Sequence, residues 1–203
     1  GANPLTIDLD GFYTYFTNKI LPDYDRDPAL IVYENLDGYS VTRGWAVGLS
    51  QSFTALPLRY EAGFTWMDVY TVEGGRRAPV TYAPDFTGDL SVSYDVRAWD
   101  LTVDYALSLV GPKRMPRSYE AFGRPLESPA YATHDLQLTK RFADVNGPAG
   151  FGVEAYLGVE NLLGFTQGSP LVAADAPFSD AFDTVYTWGP LLGRTFALGA
   201  RVT

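Results

Sequence analysis

The sequence predicts an all-β protein: an antiparallel up-and-down transmembrane β-barrel segment of about eight strands, placed in a bacterial outer membrane. Three observations carry that prediction. First, apolar and polar residues alternate with a period of two over long segments. In the stretch that organises the chain, Phe151, Val153, Ala155, Leu157 and Val159 alternate with Gly152, Glu154, Tyr156, Gly158 and Glu160. That period marks a strand with one greasy and one polar face, in runs longer than the ~5–6 residues of a mean globular strand. Second, the connections alternate strictly, long at 19–30, 72–84, 111–131 and 166–191, short at 54–57, 97–100 and 143–149. Third, aromatics sit at the strand ends: Phe53, Tyr94, Trp99, Phe142 and Phe151 beside short turns, Tyr15, Trp66 and Phe86 toward long loops. Interfacial girdles are built that way. A lipocalin-like barrel or a sandwich also alternates, so alternation leaves those folds open. Loop asymmetry discriminates, because outer-membrane barrels pair short periplasmic turns with long extracellular loops.

Composition narrows the function classes. With 46% hydrophobic and 19% charged residues the chain is not disordered, and 203 residues suffice for one large β domain. There is no cysteine, hence no disulfide framework and no thiolate metal site, and the single histidine, His134, makes a His-rich metal or haem site untenable. A net charge of −9 opposes nucleic-acid binding, which wants a basic face. No apolar run reaches the ~18–20 residues of a membrane helix, which leaves barrel strands untouched. The chain starts at Gly1 without an initiator Met or signal peptide, so a fragment of a longer protein is expected.

The strands follow in order. The first spans Pro4 to Asn18, with Leu5, Ile7 and Leu9 against Thr6, Asp8 and Asp10, then Phe12, Tyr13, Tyr15 and Phe16. A loop, Pro22-Asp-Tyr-Asp-Arg-Asp-Pro28, precedes a second strand running to Phe53, with Trp45, Val47 and Leu49 on one face. The third, Arg59 to about Thr71, sets Tyr60, Ala62, Phe64 and Trp66 opposite Glu61, Gly63 and Thr65; Glu73-Gly-Gly-Arg-Arg-Ala-Pro79 then opens a longer loop. The fourth has Phe86, Leu90, Val92, Tyr94 and Val96 against Thr87, Asp89, Ser91, Ser93 and Asp95, and turns at Arg97-Ala-Trp-Asp100. The fifth reads Leu101, Val103, Tyr105, Leu107 and Leu109 against Thr102, Asp104, Ala106 and Ser108, before a loop with four prolines. Leu136, Leu138 and Phe142 mark the sixth, Asp144-Val-Asn-Gly147 is a turn signal, and the organising strand is seventh. Phe196, Leu198, Ala200 and Val202 line the eighth.

This phase puts Asp8, Asp10, Glu61, Asp89, Asp95, Asp104, Asp135, Glu154 and Glu160 inward, with only Arg59, Arg141 and Arg201 as bases. A packed eight-stranded lumen would strand several of those carboxylates, so an arc of a wider, hydrated barrel is expected. The inward Gly63, Gly152, Gly158 and Gly199 also leave space that a small barrel would have to fill.

Several stretches carry a family resemblance: Phe16-Thr-Asn-Lys-Ile20, Tyr33-Glu-Asn-Leu-Asp-Gly38, Arg43-Gly-Trp45, Ala83-Pro-Asp-Phe86, Gly158-Val-Glu-Asn-Leu-Leu163, and Phe182-Asp-Thr-Val-Tyr-Thr-Trp188 leading to Gly193-Arg-Thr-Phe196. In this order and spacing the chain resembles the C-terminal β-barrel portion of a TonB-dependent outer-membrane receptor, nearest a Bacteroidetes-like group. The resemblance implies a 22-stranded barrel, an N-terminal plug and a TonB-binding segment, of which residues 1–203 match only the last eight strands as one domain. It implies import of a scarce nutrient (siderophore-iron, cobalamin, metal or glycan). The implied partners are outer-membrane lipid, the rest of the barrel and its plug, the TonB system, and a small-molecule or chelate substrate, with no nucleic acid and no cofactor. Such barrels end on an aromatic in lipid-facing phase, which here would fall at 204, one position beyond Thr203.

Candidate substrate contacts are the loop residues Arg76, Arg77, Arg114, Arg117, Tyr119, Tyr186 and Trp188, with Lys113, Arg124 and Phe122 beside them. The bases suit an anionic iron chelate, surface-polysaccharide phosphate or simple solvation; the aromatics suit stacking on a ligand or packing of the loops. Asp23, Asp25 and Asp27 offer carboxylates for calcium, against the plainer reading of a solvated acidic loop. His134 and Asn161 share lipid-facing phase as in an outer-wall hydrolase, but the fifth strand presents Leu107 and Leu109 where a serine nucleophile would stand. No catalytic or metal-ligating residue is expected, and the chain reads as a non-enzyme. The alternative function is a self-contained eight-stranded barrel with a structural or adhesive role.

Overall fold

The computed structural model describes residues 3–27, 30–145, 151–184 and 186–202. Within them lie eleven strands: β1 (Leu5–Phe16), β2 (Ile20–Asp27), β3 (Leu30–Asn35), β4 (Gly38–Ser52), β5 (Leu58–Glu73), β6 (Arg76–Pro79), β7 (Phe86–Val96), β8 (Leu101–Val110), β9 (Tyr131–Val145), β10 (Phe151–Glu160) and β11 (Thr195–Val202). Eight of them form one antiparallel meander in the order β1-β4-β5-β7-β8-β9-β10-β11, as the alternating connections require. Among the described residues β1 and β11 share no ladder, so the sheet is an open arc, as the charge of the inward face led us to expect.

Register converts alternation into two continuous faces. One row runs Leu9↔Val47↔Phe64, another Leu90↔Leu107, and a third Val103↔Leu138↔Leu157↔Leu198. On this face Leu9 is 74% and Leu198 82% exposed, a surface that water would not tolerate but hydrocarbon stabilises at ~25 cal/mol per Å². The opposite row pairs Asp104 with Ser93 and Gln137, and Glu154 with Arg141 and Arg201. Trp45 lies opposite Trp66, which lies opposite Phe86, and the rings of Trp45, Phe64 and Phe86 follow one another at 5.6 and 5.8 Å. Two of the spaces left by inward glycines are taken: a Cβ at Gly199 would meet the Tyr156 phenol, and one at Gly63 would meet the Asp89 carboxylate.

The connections differ from expectation in two places. Residues 20–27 and 30–35, read partly as loop and partly as the start of the second strand, pair as a separate two-stranded sheet, the β2–β3 hairpin. The β-branched and aromatic run Ile31-Val32-Tyr33 supplies the propensity, and Pro22 is tolerated because this sheet has only edges. Residues 72–84 are likewise more ordered than a loop. β5 continues to Glu73, Gly74 and Gly75 take φ of +54° and +77°, and β6 returns with Glu73 opposite Arg76. Two adjacent positive φ values are what a two-residue hairpin turn demands, and glycine adopts them without Cβ strain. The turn at 97–100 is a short 3₁₀ segment, Arg97–Trp99, closed by Asp100 in left-handed conformation. Of the Asp144–Gly147 turn signal, Asp144 and Val145 belong to β9 and the other two residues lie outside the described residues.

Candidate functional site

The buried core of this protein sits among the loops rather than in the sheet. Met115, Tyr119, Val172 and Tyr186 cluster there, with Tyr82 and Trp188 packed against them. A single-layer sheet has no second layer to bury its face, so enclosure arises mainly where the loops at one end meet; among the described strand residues only Ser40 and Val41, near the start of β4, are buried. The meeting is hydrogen-bonded throughout. The Ser118 hydroxyl donates to Tyr24 O at 2.9 Å, and Lys113 Nζ donates to Trp188 O at 2.8 Å. The Tyr186 hydroxyl donates to Pro125 O at 2.9 Å, and Arg124 donates to Leu171 O. Tyr119 donates to the Asp183 carboxylate. Asn161, with φ of 50° just after β10, donates to Phe165 O and Leu192 O and accepts from the Phe165 N–H. All four long connections of the meander thus share one end.

Burial governs the electrostatics. Desolvation, aided by the Asp183 hydrogen bond, drives the Tyr119 phenol well above its usual pKa. Tyr82 is pushed up to about 12, first by burial and then by Tyr24, Asp183 and Tyr186 nearby. Burial lowers Lys113, and it raises Tyr186 against the opposing charge of Arg124.

The expected contact residues separate into three groups. Tyr119 and Tyr186 meet edge to face at 5.5 Å inside the loop core, 4% and 3% exposed, while Trp188 packs on Tyr131 and Phe165. Arg77 lies elsewhere, over the Tyr70 ring at 3.9 Å and paired with Asp68, which also takes Arg43 at 2.9 Å; Arg76 is exposed on β6. Arg114 and Arg117 come together at a cavity of about 550 Å³ between the β2–β3 hairpin and residues 71–82. Its walls include Tyr24, Tyr82, Asp25, Glu34 and Glu73. Sequence reasoning missed this cavity because it reads 19–30 as a loop and the residues after it as the start of the second strand.

The calcium alternative gains no support, and the lipid-facing phase read for Asn161 is corrected. Asp25 pairs with Arg114 and Asp23 with Arg26, and among the described residues no group of three metal-ligating side chains gathers, so Asp23 and Asp25 do not join in a calcium cage. His134 accepts or donates at Nδ1 with the Tyr105 hydroxyl at 2.7 Å, whereas Asn161 is buried under the 162–192 loop, which removes it from the outer wall.

Comparison with known proteins agrees with this geometry. A family model for the TonB-dependent receptor-like β-barrel matches residues 1–162. The chain belongs to that family. Its fold is similar to the closed form of the ferric-catecholate import receptor Fiu from E. coli K12, at 20% identity and TM-score 0.62, covering 97% of this chain and 25% of that one. It is similar to P. aeruginosa FpvA bound to heterologous pyoverdines, at 17% identity and TM-score 0.59, covering 97% and 24%. The copper transporter OprC matches at 15% identity and TM-score 0.63, covering 97% and 28%. No curated protein sequence matches the chain. The chain spans about a quarter of the length of these structures. The family is one of outer-membrane receptors and transporters of Gram-negative bacteria rather than of enzymes.

Proposed function

We propose that the chain is the C-terminal arc of the barrel of a TonB-dependent outer-membrane transporter that imports a scarce nutrient as a small-molecule complex. The observation that carries this reading is the open eight-strand meander with a lipid-type outer face and all long connections joined at one end. An arc of this kind forms part of a wall and a mouth, not a complete pore. In this reading the rest of the protein supplies the remaining strands, a plug in the lumen and the segment that engages TonB. Lipid covers the rows around Val103 and Leu157, and the substrate is met first by the loops. The loop bases Arg114 and Arg117, which line the cavity, and the aromatic Trp188 are the residues through which substrate would act on this arc. The related structures include an importer of ferric catecholates and a copper transporter, which supports a metal complex as cargo. The self-contained small barrel is disfavoured because it needs β1 to pair with β11.

The test is uptake by cells carrying the complete receptor. Deleting its gene should impair growth under limitation of one nutrient among iron, cobalamin, copper and glycan. Restoring the gene should restore labelled-nutrient uptake only where TonB is intact. Residues 1–203 expressed alone should restore nothing. Uptake independent of TonB, or supported by this arc alone, would overturn the reading.

A further inference from the structure

The β2–β3 hairpin and the 111–131 loop are oppositely charged. Residues 20–35 hold Asp23, Asp25, Asp27 and Glu34 against the lone Arg26, while 111–131 holds Lys113, Arg114, Arg117 and Arg124 against Glu120 and Glu127. Their closest junction is Asp25. One of its carboxylate oxygens accepts from the Arg114 guanidinium and the other from the Arg117 backbone N–H at 2.7 Å. The hydrogen bond from Ser118 to Tyr24 O and the edge-to-face contact of Tyr24 with Tyr82 at 5.3 Å complete the docking. Beneath the docked hairpin lies the cavity of about 550 Å³, within the usual ~300–1,000 Å³ of small-molecule sites.

The group that holds Asp25 is built without the hairpin's help. Arg114 Nη1 donates to Thr81 Oγ1 at 2.7 Å and to Pro79 O at 3.3 Å, and the Arg114 carbonyl accepts from the Tyr82 N–H at 2.9 Å. The guanidinium is therefore aimed by the 79–82 segment on the barrel side. An aimed guanidinium beside a free-facing backbone N–H grips two oxygens of one acidic group, with charge assistance on one of them. We propose that Asp25 is a built-in substitute for an acidic group of the ligand, and that β2–β3 is a lid. An anionic chelate bearing carboxylates or catecholates takes Asp25's place on Arg114 and the Arg117 N–H, and the hairpin swings off. Asp23 and Glu34 leave with the hairpin, so the incoming anion meets the basic loop. Of the cavity acids that stay behind, Glu73 accepts from the Asp37 N–H at 3.1 Å. This inference rests on the import reading and names its substrate class.

The experiment uses the complete receptor in detergent, citrate as the probe, and an environment-sensitive label at Ile31→Cys, which introduces the one cysteine of this otherwise cysteine-free chain. Citrate should bind and release the label. Asp25→Asn should release the label without citrate and raise citrate affinity about tenfold, Asp25→Glu should behave as the parent, and Arg114→Gln should lower affinity at least tenfold in either background. In an unlabelled receptor, oxidation of a Tyr24→Cys/Ser118→Cys pair should suppress citrate binding and reduction should restore it. Citrate binding without label movement, Asp25→Asn with parental affinity, full binding to the locked hairpin, or no citrate binding in any background would each overturn the lid. Nutrient uptake surviving such a result would leave the import reading intact, and lost TonB dependence beside a working lid would fail import alone.

Discussion

Tyr119 is the residue on which the loop assembly can be interrogated. It is buried, its hydroxyl donates to the Asp183 carboxylate, and its ring meets Tyr186 edge to face. Its pKa is raised first by burial, and Tyr82 follows to about 12 for the same leading reason. An unfolded tyrosine ionises near ~10. Below that pH both states keep the proton and the assembly has its full stability. Above it the unfolded chain ionises while the buried phenols do not, so stability falls as pH climbs toward the folded values. We expect protease resistance of the loops to decline above pH ~10, and ultraviolet titration to find Tyr119 and Tyr82 ionising last. Tyr119→Phe should weaken the loops by about 1–3 kcal/mol at neutral pH, since it leaves the Asp183 carboxylate short of a donor, and should flatten the alkaline decline. A neutral-pH stability unchanged in Tyr119→Phe would show the hydrogen bond to be idle. The sequence marked Tyr119 and Tyr186 as loop aromatics with a role, but not their burial. Period-two patterning reports which face of a strand is apolar, and it carries nothing about which loop meets which across sixty residues.

At the scale of elements the alternation was nearly sufficient. Apart from the start of β4, which lies at Gly38 rather than just after residue 30, each meander strand lies within a few residues of its sequence reading, because a one-residue slip would reverse both faces. The two misreadings came from different causes. The Gly74-Gly75 hairpin was visible as a two-residue glycine turn, yet was read only as a loop opening. The β2–β3 hairpin has aspartates and prolines in place of clean alternation, and the contacts of Tyr24 and Asp25 with the 111–131 loop leave no trace in that pattern. Face assignment is testable at adjacent positions. Val103 stands in the row of Tyr94 and Leu138, Asp104 in that of Ser93 and Gln137. Val103→Lys should cost ~2–4 kcal/mol if the row is at mid-membrane and block assembly in the outer membrane, read as loss of the heat-modifiable gel species. Asp104→Lys should assemble. Equal tolerance would mean the faces are reversed.

At the scale of the whole molecule the question is what lies beyond β1 and β11. Both strands offer an unpaired backbone edge and a row of exposed apolar side chains, a combination that soluble proteins avoid and that invites further pairing. Closure of β1 onto β11 would satisfy those edges but would confine the polar face. Among the described residues that face has one ion pair, Arg141 with Glu154 at 3.2 Å; Asp95 accepts from Thr102 and Asp135 from the Asn161 N–H. Asp8, Asp10, Glu61, Asp89 and Asp104 meet no arginine or lysine there, and burying even one unpaired carboxylate costs several kcal/mol. A wide lumen keeps them hydrated at no such cost. Cysteine pairs decide between the two in the complete receptor. Leu157→Cys with Leu198→Cys, which are cross-strand partners, should oxidise readily and serves as the reference. Leu198→Cys combined in turn with cysteine at Leu5, Ile7 or Leu9 should give no bond within the chain, because other strands stand between. Cross-linking of β1 to β11 as efficient as the reference pair would mean that eight strands close on themselves.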